Sequence, residues 1–262
     1  MPNMGMSRMG LLEVKEHFLH FEDNIAATGL ATGVVWGTGY VSVGEVGFVS
    51  VNEGSLAWTI DEPGGILAIT TDTGDNDNAC LIAGAFRPTD GGVESEYRFK
   101  HNTTGTVQLA IYAGFSETMA FDAPVMPAEF ATATMTYNGA GGMVGASLDP
   151  DGTTDDWRAI QADGGAGGTG SSTTGVVAGE TITADEYYIV RTEIDVSGTS
   201  RVYVGHQGGA TGTMKLVGDF TTAGVTPGDQ QYAVLMCENR SAAAKVMEVD
   251  YFYARGHIDW TV

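Results

Sequence analysis

The chain has little cysteine, proline or positive charge, and no long apolar run. Its 2 cysteines among 262 residues, Cys80 and Cys237, rule out a disulfide-built scaffold. Each lies in an apolar, strand-like stretch. In the reducing cytosol where the chain is expected to be made, both read as buried free thiols. Lys and Arg number 12 against 33 Asp and Glu, a formal net charge of −21. A potential this negative repels phosphate backbones and anionic lipid, which argues against nucleic-acid and membrane partners. No apolar stretch approaches the ~20 residues of a membrane-spanning helix. The first residues carry Arg8 but no apolar run follows, so no secretory leader is expected. The five histidines, His17, His20, His101, His206 and His257, are scattered, and neither cysteine has a partner at zinc-ligand spacing. Gly-x-Ser-x-Gly does not occur, so nucleophilic catalysis has no support.

What is present is apolar content of 43% and 38 glycines. A chain of this mass should fold to about 11,000 Å² of surface from about 40,000 Å² when open, enough for a sizeable core. Short β-branched or alternating runs occur at 46–51, 56–60, 65–71, 79–86, 93–99, 106–115, 129–137, 143–148, 187–196, 201–204, 214–217, 232–237 and 246–253. Turn clusters rich in Gly, Pro and Asp separate them, which is the pattern of a β-sandwich or jelly roll. Residues 12–21 read as a further strand. With no fixed-period repeat and no dividing linker, one domain over 11–262 is expected. Two segments stand apart. Residues 1–10 read as an N-terminal arm, and 163–175 as a Gly-rich loop with no phosphate-loop lysine after it.

Two groups of carboxylates invite chemistry. Asp72, Asp75 and Asp77 sit in one turn and offer hard oxygen ligands to a structural Ca²⁺, although the spacing is not that of a helix–loop–helix calcium site. Asp149, Asp151, Asp155 and Asp156 form a second such cluster. Solvated turns account for both equally, so no cofactor is assigned. Glu248 and Asp250 alternate along a strand, and a strand places them on one face together with Phe252. This stretch resembles the Glu-x-Asp-x-(x)-Glu strand of laminarinase-like β-glucanases, but Phe252 or Tyr253 stands where that family has its proton donor. A jelly-roll glycosidase is therefore the disfavoured alternative, because retaining hydrolysis needs both carboxyls.

Several stretches together carry a second resemblance. They are FLHFE at 18–22 with Trp36, GILAITTD at 65–72, DNACL at 77–81, ESEYRFK at 94–100, AGF at 113–115, YIVRTEID at 188–195 and EVDYF at 248–252. In this order the chain resembles the concanavalin A-like (lectin/glucanase, laminin-G-like) virion proteins of tailed bacteriophages. The resemblance implies an all-β, two-sheet antiparallel jelly-roll sandwich with an N-terminal arm, and it carries over no catalytic residues. It implies a non-enzymatic capsid decoration (cement) protein, made in the host cytoplasm and bound to the major capsid protein on the virion surface. As a homo-oligomer, expected to be a trimer, it would use Met4, Met6, Met9 and Trp260 as interface candidates. The alternative is a tail-fibre or receptor-binding protein that recognises host-surface glycans.

Overall fold

The computed structural model describes residues 9–16, 34–35, 41–43, 46–50, 54–59, 66–101, 108–119, 124–131, 134–138, 141–152, 156–163, 175–181, 184–206, 214–221 and 224–259. Among them the strands are, in chain order, β1 (Met9–Glu16), β2 (Val34–Val35), β3 (Val41–Val43), β4 (Val46–Ser50), β5 (Ser55–Thr59), β6 (Ile66–Thr70) and β7 (Asn78–Phe86). They continue with β8 (Val93–His101), β9 (Leu109–Ser116), β10 (Ala128–Ala131), β11 (Thr134–Tyr137), β12 (Gly142–Leu148) and β13 (Asp156–Asp163). The last are β14 (Gly175–Thr181), β15 (Tyr188–Ile194), β16 (Ser200–His206), β17 (Lys215–Phe220), β18 (Gln231–Asn239) and β19 (Val246–Asp259). The one helical element among the described residues is a 3₁₀ turn, Pro88–Asp90.

The strands form two large antiparallel sheets. A nine-stranded sheet runs β17-β16-β15-β8-β19-β6-β5-β2, and an eight-stranded sheet runs β14-β13-β12-β9-β18-β7-β4-β3. The ninth strand of the first sheet is β1, which shares one side of the long β19 with β6: Val246 to Val249 pair with β6, and Phe252 to Asp259 pair with β1. Met9 and Gly10, expected in the arm, are thus the first residues of a paired strand. Residues 1–8 lie outside the described residues, as do 164–174 of the Gly-rich loop.

Sequence pattern explains which strands face water. β8 alternates buried and half-buried residues throughout, with Val93, Ser95, Tyr97, Phe99 and His101 inward and Glu94, Glu96, Arg98 and Lys100 outward. β9 and β12 are buried along their whole length and read as continuous apolar and small residues, because both of their faces are covered. Between the sheets lies the main core, which includes Phe86, Tyr97, Phe99, Phe115, Trp157, Tyr188 and Phe252. A second core lies on the outside of the eight-stranded sheet, where Met126, Ala128, Phe130 and Tyr137 cover Cys80, Tyr112, Met143, Ile160 and Met236. The covering element is the β10–β11 hairpin. Residues 129–137, expected as one strand, fold back on themselves so that Phe130 opposes Met135.

Cys80 pairs with Met236 across β7 and β18, and Cys237 with Ala79, so the thiols point to opposite faces. Cys80 belongs to the outer core and Cys237 to the inner one. Both are free and buried, as the sequence indicated. Burial pushes the Cys80 thiol well above its ordinary value, which leaves it unreactive.

Candidate functional site

The outward residues of β15, β8 and β19 build a lattice of charge on the nine-stranded sheet. Register places Glu193 opposite Glu94, and Glu94 opposite Arg255. Two glutamates facing each other would repel. Arg191, two residues along β15, resolves this by reaching Glu94 at 2.9 Å and Glu193 at 2.7 Å, while Arg255 meets Glu94 at 2.6 Å. Further along the same face, Lys100 pairs with Glu248 at 2.9 Å and Arg98 pairs with Asp250. The Tyr187 ring lies under Arg98, 3.8 Å from its guanidinium carbon, and the Tyr251 hydroxyl donates to Glu96 at 2.5 Å.

This lattice decides the fate of the carboxylate pair. The strand register shifts between Val249 and Tyr251, so Glu248 and Asp250 stay half-buried on the outer face while Phe252 is fully buried in the core. The expectation that all three share a face is corrected by that bulge, which inserts one residue and moves Phe252 inward. Glu248 and Asp250 each hold a cation from β8, and burial and Glu96 push the neighbouring Tyr251 hydroxyl well above its usual range. A retaining pair needs one carboxyl placed as proton donor and one as nucleophile, and here each of the two is taken up by a cation of the neighbouring strand.

At one end of the face the lattice opens into two adjoining clefts. The larger, about 530 Å³, is lined by Gly91, Gly92, Glu94, Arg191, Glu193 and Arg255 among others. Gly92 sits at φ +80°, and a Cβ there would stand 3.0 Å from the Ile194 carbonyl, so the turn into β8 needs glycine. The smaller cleft, about 250 Å³, shares Glu193 and Asp195 with the first and adds Ser200, Arg201 and Asp219. Its rim is fixed by Asp195, whose carboxylate accepts from the Ser197 and Thr199 amides at 2.8 and 3.1 Å and from both hydroxyls. Burial works against that charge, yet these donors hold its carboxyl below the usual range.

The opposite end gathers the acidic turns around one arginine. Arg240 has a side chain 6% exposed and reaches Asp149 at 3.0 Å, Glu238 at 2.6 Å, Glu129 at 3.4 Å and Asp151 at 3.6 Å, and it also bonds the Asn76 amide oxygen. Although burial opposes its charge, Glu238 and Asp149 hold the guanidinium above its ordinary pKa. Burial pushes Glu238 up to about 8 against the pull of Arg240, with Glu129 adding to the rise. The turn expected to offer Ca²⁺ ligands sits beside this hub. Asp77 accepts the Gly74 amide at 2.8 Å and is nearly buried, whereas Asp75 is exposed and Asp72 half-buried. Among the described residues no group of three or more His, Cys, Asp or Glu is placed to hold a metal ion. The cation inside this hub is Arg240. Its importance was not read from the sequence, where the available signal was a lone arginine directly after the last residue of β18.

His101 and His206 stack on the two faces of Tyr188, with ring centroids 6.1 and 4.5 Å away. They are part of the packing at the edge of the core, and burial lowers His101 to about 4. Of the interface candidates, Met4, Met6 and Trp260 lie outside the described residues, and Met9 pairs through its backbone with Asp259.

No protein-family model matches the sequence, and no curated protein matches it. Solved structures are similar in fold. A protein of unknown function from Shewanella oneidensis MR-1 is 14% identical, with a TM-score of 0.58 over 96% of this chain and 89% of that one. The carbohydrate recognition domain of Emp47p is 13% identical, with a TM-score of 0.52 over 80% of this chain and 88% of that one. The exoplasmic/lumenal domain of VIP36, in a Ca²⁺-bound form, is 13% identical, with a TM-score of 0.51 over 87% and 92%. Together with the two-sheet topology, these likenesses show a concanavalin A-like β-sandwich, the fold that the sequence resemblance implied.

Proposed function

We propose that the chain is a non-enzymatic recognition module that binds glycans and is displayed on a tailed-bacteriophage particle as a capsid decoration protein. The observation that carries the binding reading is the lattice on the nine-stranded sheet. Its carboxylates are held by Lys100, Arg98, Arg191 and Arg255, so the face presents many oriented donors and acceptors among the described residues. The likeness to the carbohydrate recognition domain of Emp47p agrees with glycan recognition as the activity. Fold alone does not fix a function, so the reading stands on the face.

The capsid placement rests on the sequence resemblance and on charge. A molecule of net charge −21 suits display on the outside of a particle, where it resists clumping and docks on a less negative shell. On this reading it binds the major capsid protein as a homotrimer at the three-fold positions of the lattice. The test is reconstitution: purified protein added to undecorated heads occupies regular sites on the shell and raises its melting temperature. No binding to heads, or label found on tail fibres alone, overturns the capsid placement and leaves glycan recognition to be judged separately.

A further inference from the structure

Charged residues cross the nine-stranded sheet in one continuous row. Asp219 on β17 pairs with Arg201 on β16, Arg201 with Glu193 on β15, Glu193 with Glu94 on β8, and Glu94 with Arg255 on β19. Five strands separated by four gaps of about 4.8 Å make the row roughly 19 Å long. The two adjoining clefts lie along it, joined at Glu193 and Asp195. We infer that this row is the floor of an extended subsite that takes a neutral oligosaccharide lengthwise, an inference that rests on the glycan-binding reading above.

The chemistry of the row selects such a ligand. Arg201 and Arg255 are 59% and 49% exposed, and each is engaged on one side, by Asp219 at 3.4 Å and by Glu94 at 2.6 Å. A guanidinium carries more N–H donors than one carboxylate accepts, and a paired carboxylate keeps acceptor sites of its own. Donors and acceptors therefore alternate along the floor, and a sugar chain offers hydroxyls that both donate and accept at every unit. The carboxylates of Glu94, Glu193, Asp195 and Asp219 exceed the guanidinium groups of Arg191, Arg201 and Arg255 by one charge. That balance, on a molecule of net charge −21, disfavours an anionic ligand. The guanidinium groups inside the row disfavour a metal cation. An apolar ligand or peptide anchor finds little to hold, since the only large apolar side chains among the lining residues, Val93, Ile194 and Phe220, are buried at 4%, 1% and 5% exposure. The larger cleft, at about 530 Å³, has the size of an ordinary ligand site. The rim is set in advance by the Asp195 turn, so little ordering is needed on binding.

The test uses the full chain and an array of neutral glucose-, galactose- and mannose-terminated oligosaccharides with sialylated and sulfated counterparts. Titration of the best-retained neutral oligosaccharide then compares the wild type with Arg201→Ala, Arg255→Ala and Glu193→Gln, each checked for an unchanged melting curve. The expected result is at least tenfold weaker binding in the folded variants, and unchanged binding for Lys245→Ala at the opposite end of the sandwich. Equal binding by the wild type and all three row variants overturns the subsite and leaves glycan recognition standing. Tighter binding of sialylated or sulfated members overturns the neutral-ligand assignment. Retention of no member removes the glycan reading, and the subsite with it.

Discussion

Arg240 is the residue on which one end of the sandwich depends. Its partners come from three segments, Glu129 on β10, Asp149 and Asp151 in one turn and Glu238 on β18, and with Arg240→Ala they would face one another with the cation gone. Removing one member of a buried ionic cluster costs about 3–5 kcal/mol. The variant should melt well below the wild type, and excess Ca²⁺ should restore part of the loss by replacing the missing charge. Wild-type melting should not respond to chelator. Glu238 supplies a pH signature of its own. Its folded pKa of about 8 lies above that of an unfolded glutamate, so the folded state binds more protons between these values and stability falls as pH rises through the window. The groups around it, Arg240, Glu129, Asp149 and Asp151, are unchanged in Glu238→Gln. Melting temperatures from pH 5 to 9 should therefore decline less steeply in that variant than in the wild type. An identical slope would contradict the assignment. Nothing in the sequence announces this hub, because 111 positions separate Arg240 from Glu129 and 91 separate it from Asp149.

At the scale of elements, β9 and β12 approach closely, backbone against backbone. Gly114 and Gly145 face each other, and a Cβ on Gly145 would lie 2.4 Å from the Ala113 carbonyl and 2.8 Å from the Gly114 Cα. Backbone cannot retreat there without disturbing the Tyr112 and Tyr97 hydroxyls, which donate to the Val144 and Gly114 carbonyls at 3.1 and 2.9 Å. Gly145→Ala should destabilise by about 1–3 kcal/mol, as overpacking does. Gly228→Ala, with nothing within 4 Å of its added carbon, should lose no stability. Thermal unfolding of the two variants side by side checks both. Alternation made β8 and β15 legible from sequence, since one face of each meets water and the other the core. The hairpin at 128–137 was not legible, because Ala131 and Thr134 flank a reversal with no Gly or Pro to mark it. Nor was the bulge at Asp250, whose apolar and polar neighbours fit either register.

Among the described residues the molecule is a two-sheet sandwich with a third layer, the β10–β11 hairpin, over the eight-stranded sheet and a charged outer face on the other. The proposed recognition surface is the charged face. The sequence carried the fold class, the free thiols and the acidic character, all of which depend on local pattern or composition. It did not carry the order of strands, because β8 finds its neighbours β15 and β19 far along the chain. The charge row exists only once those three strands lie side by side. The central claim is recognition without chemistry, and one experiment addresses it: an oligosaccharide mixture is held over immobilised protein, and retained sugar and reducing ends are measured together. The account predicts that neutral oligosaccharides are retained and recovered intact, with no rise in reducing ends. Newly released reducing ends, or no retention at all, would contradict it.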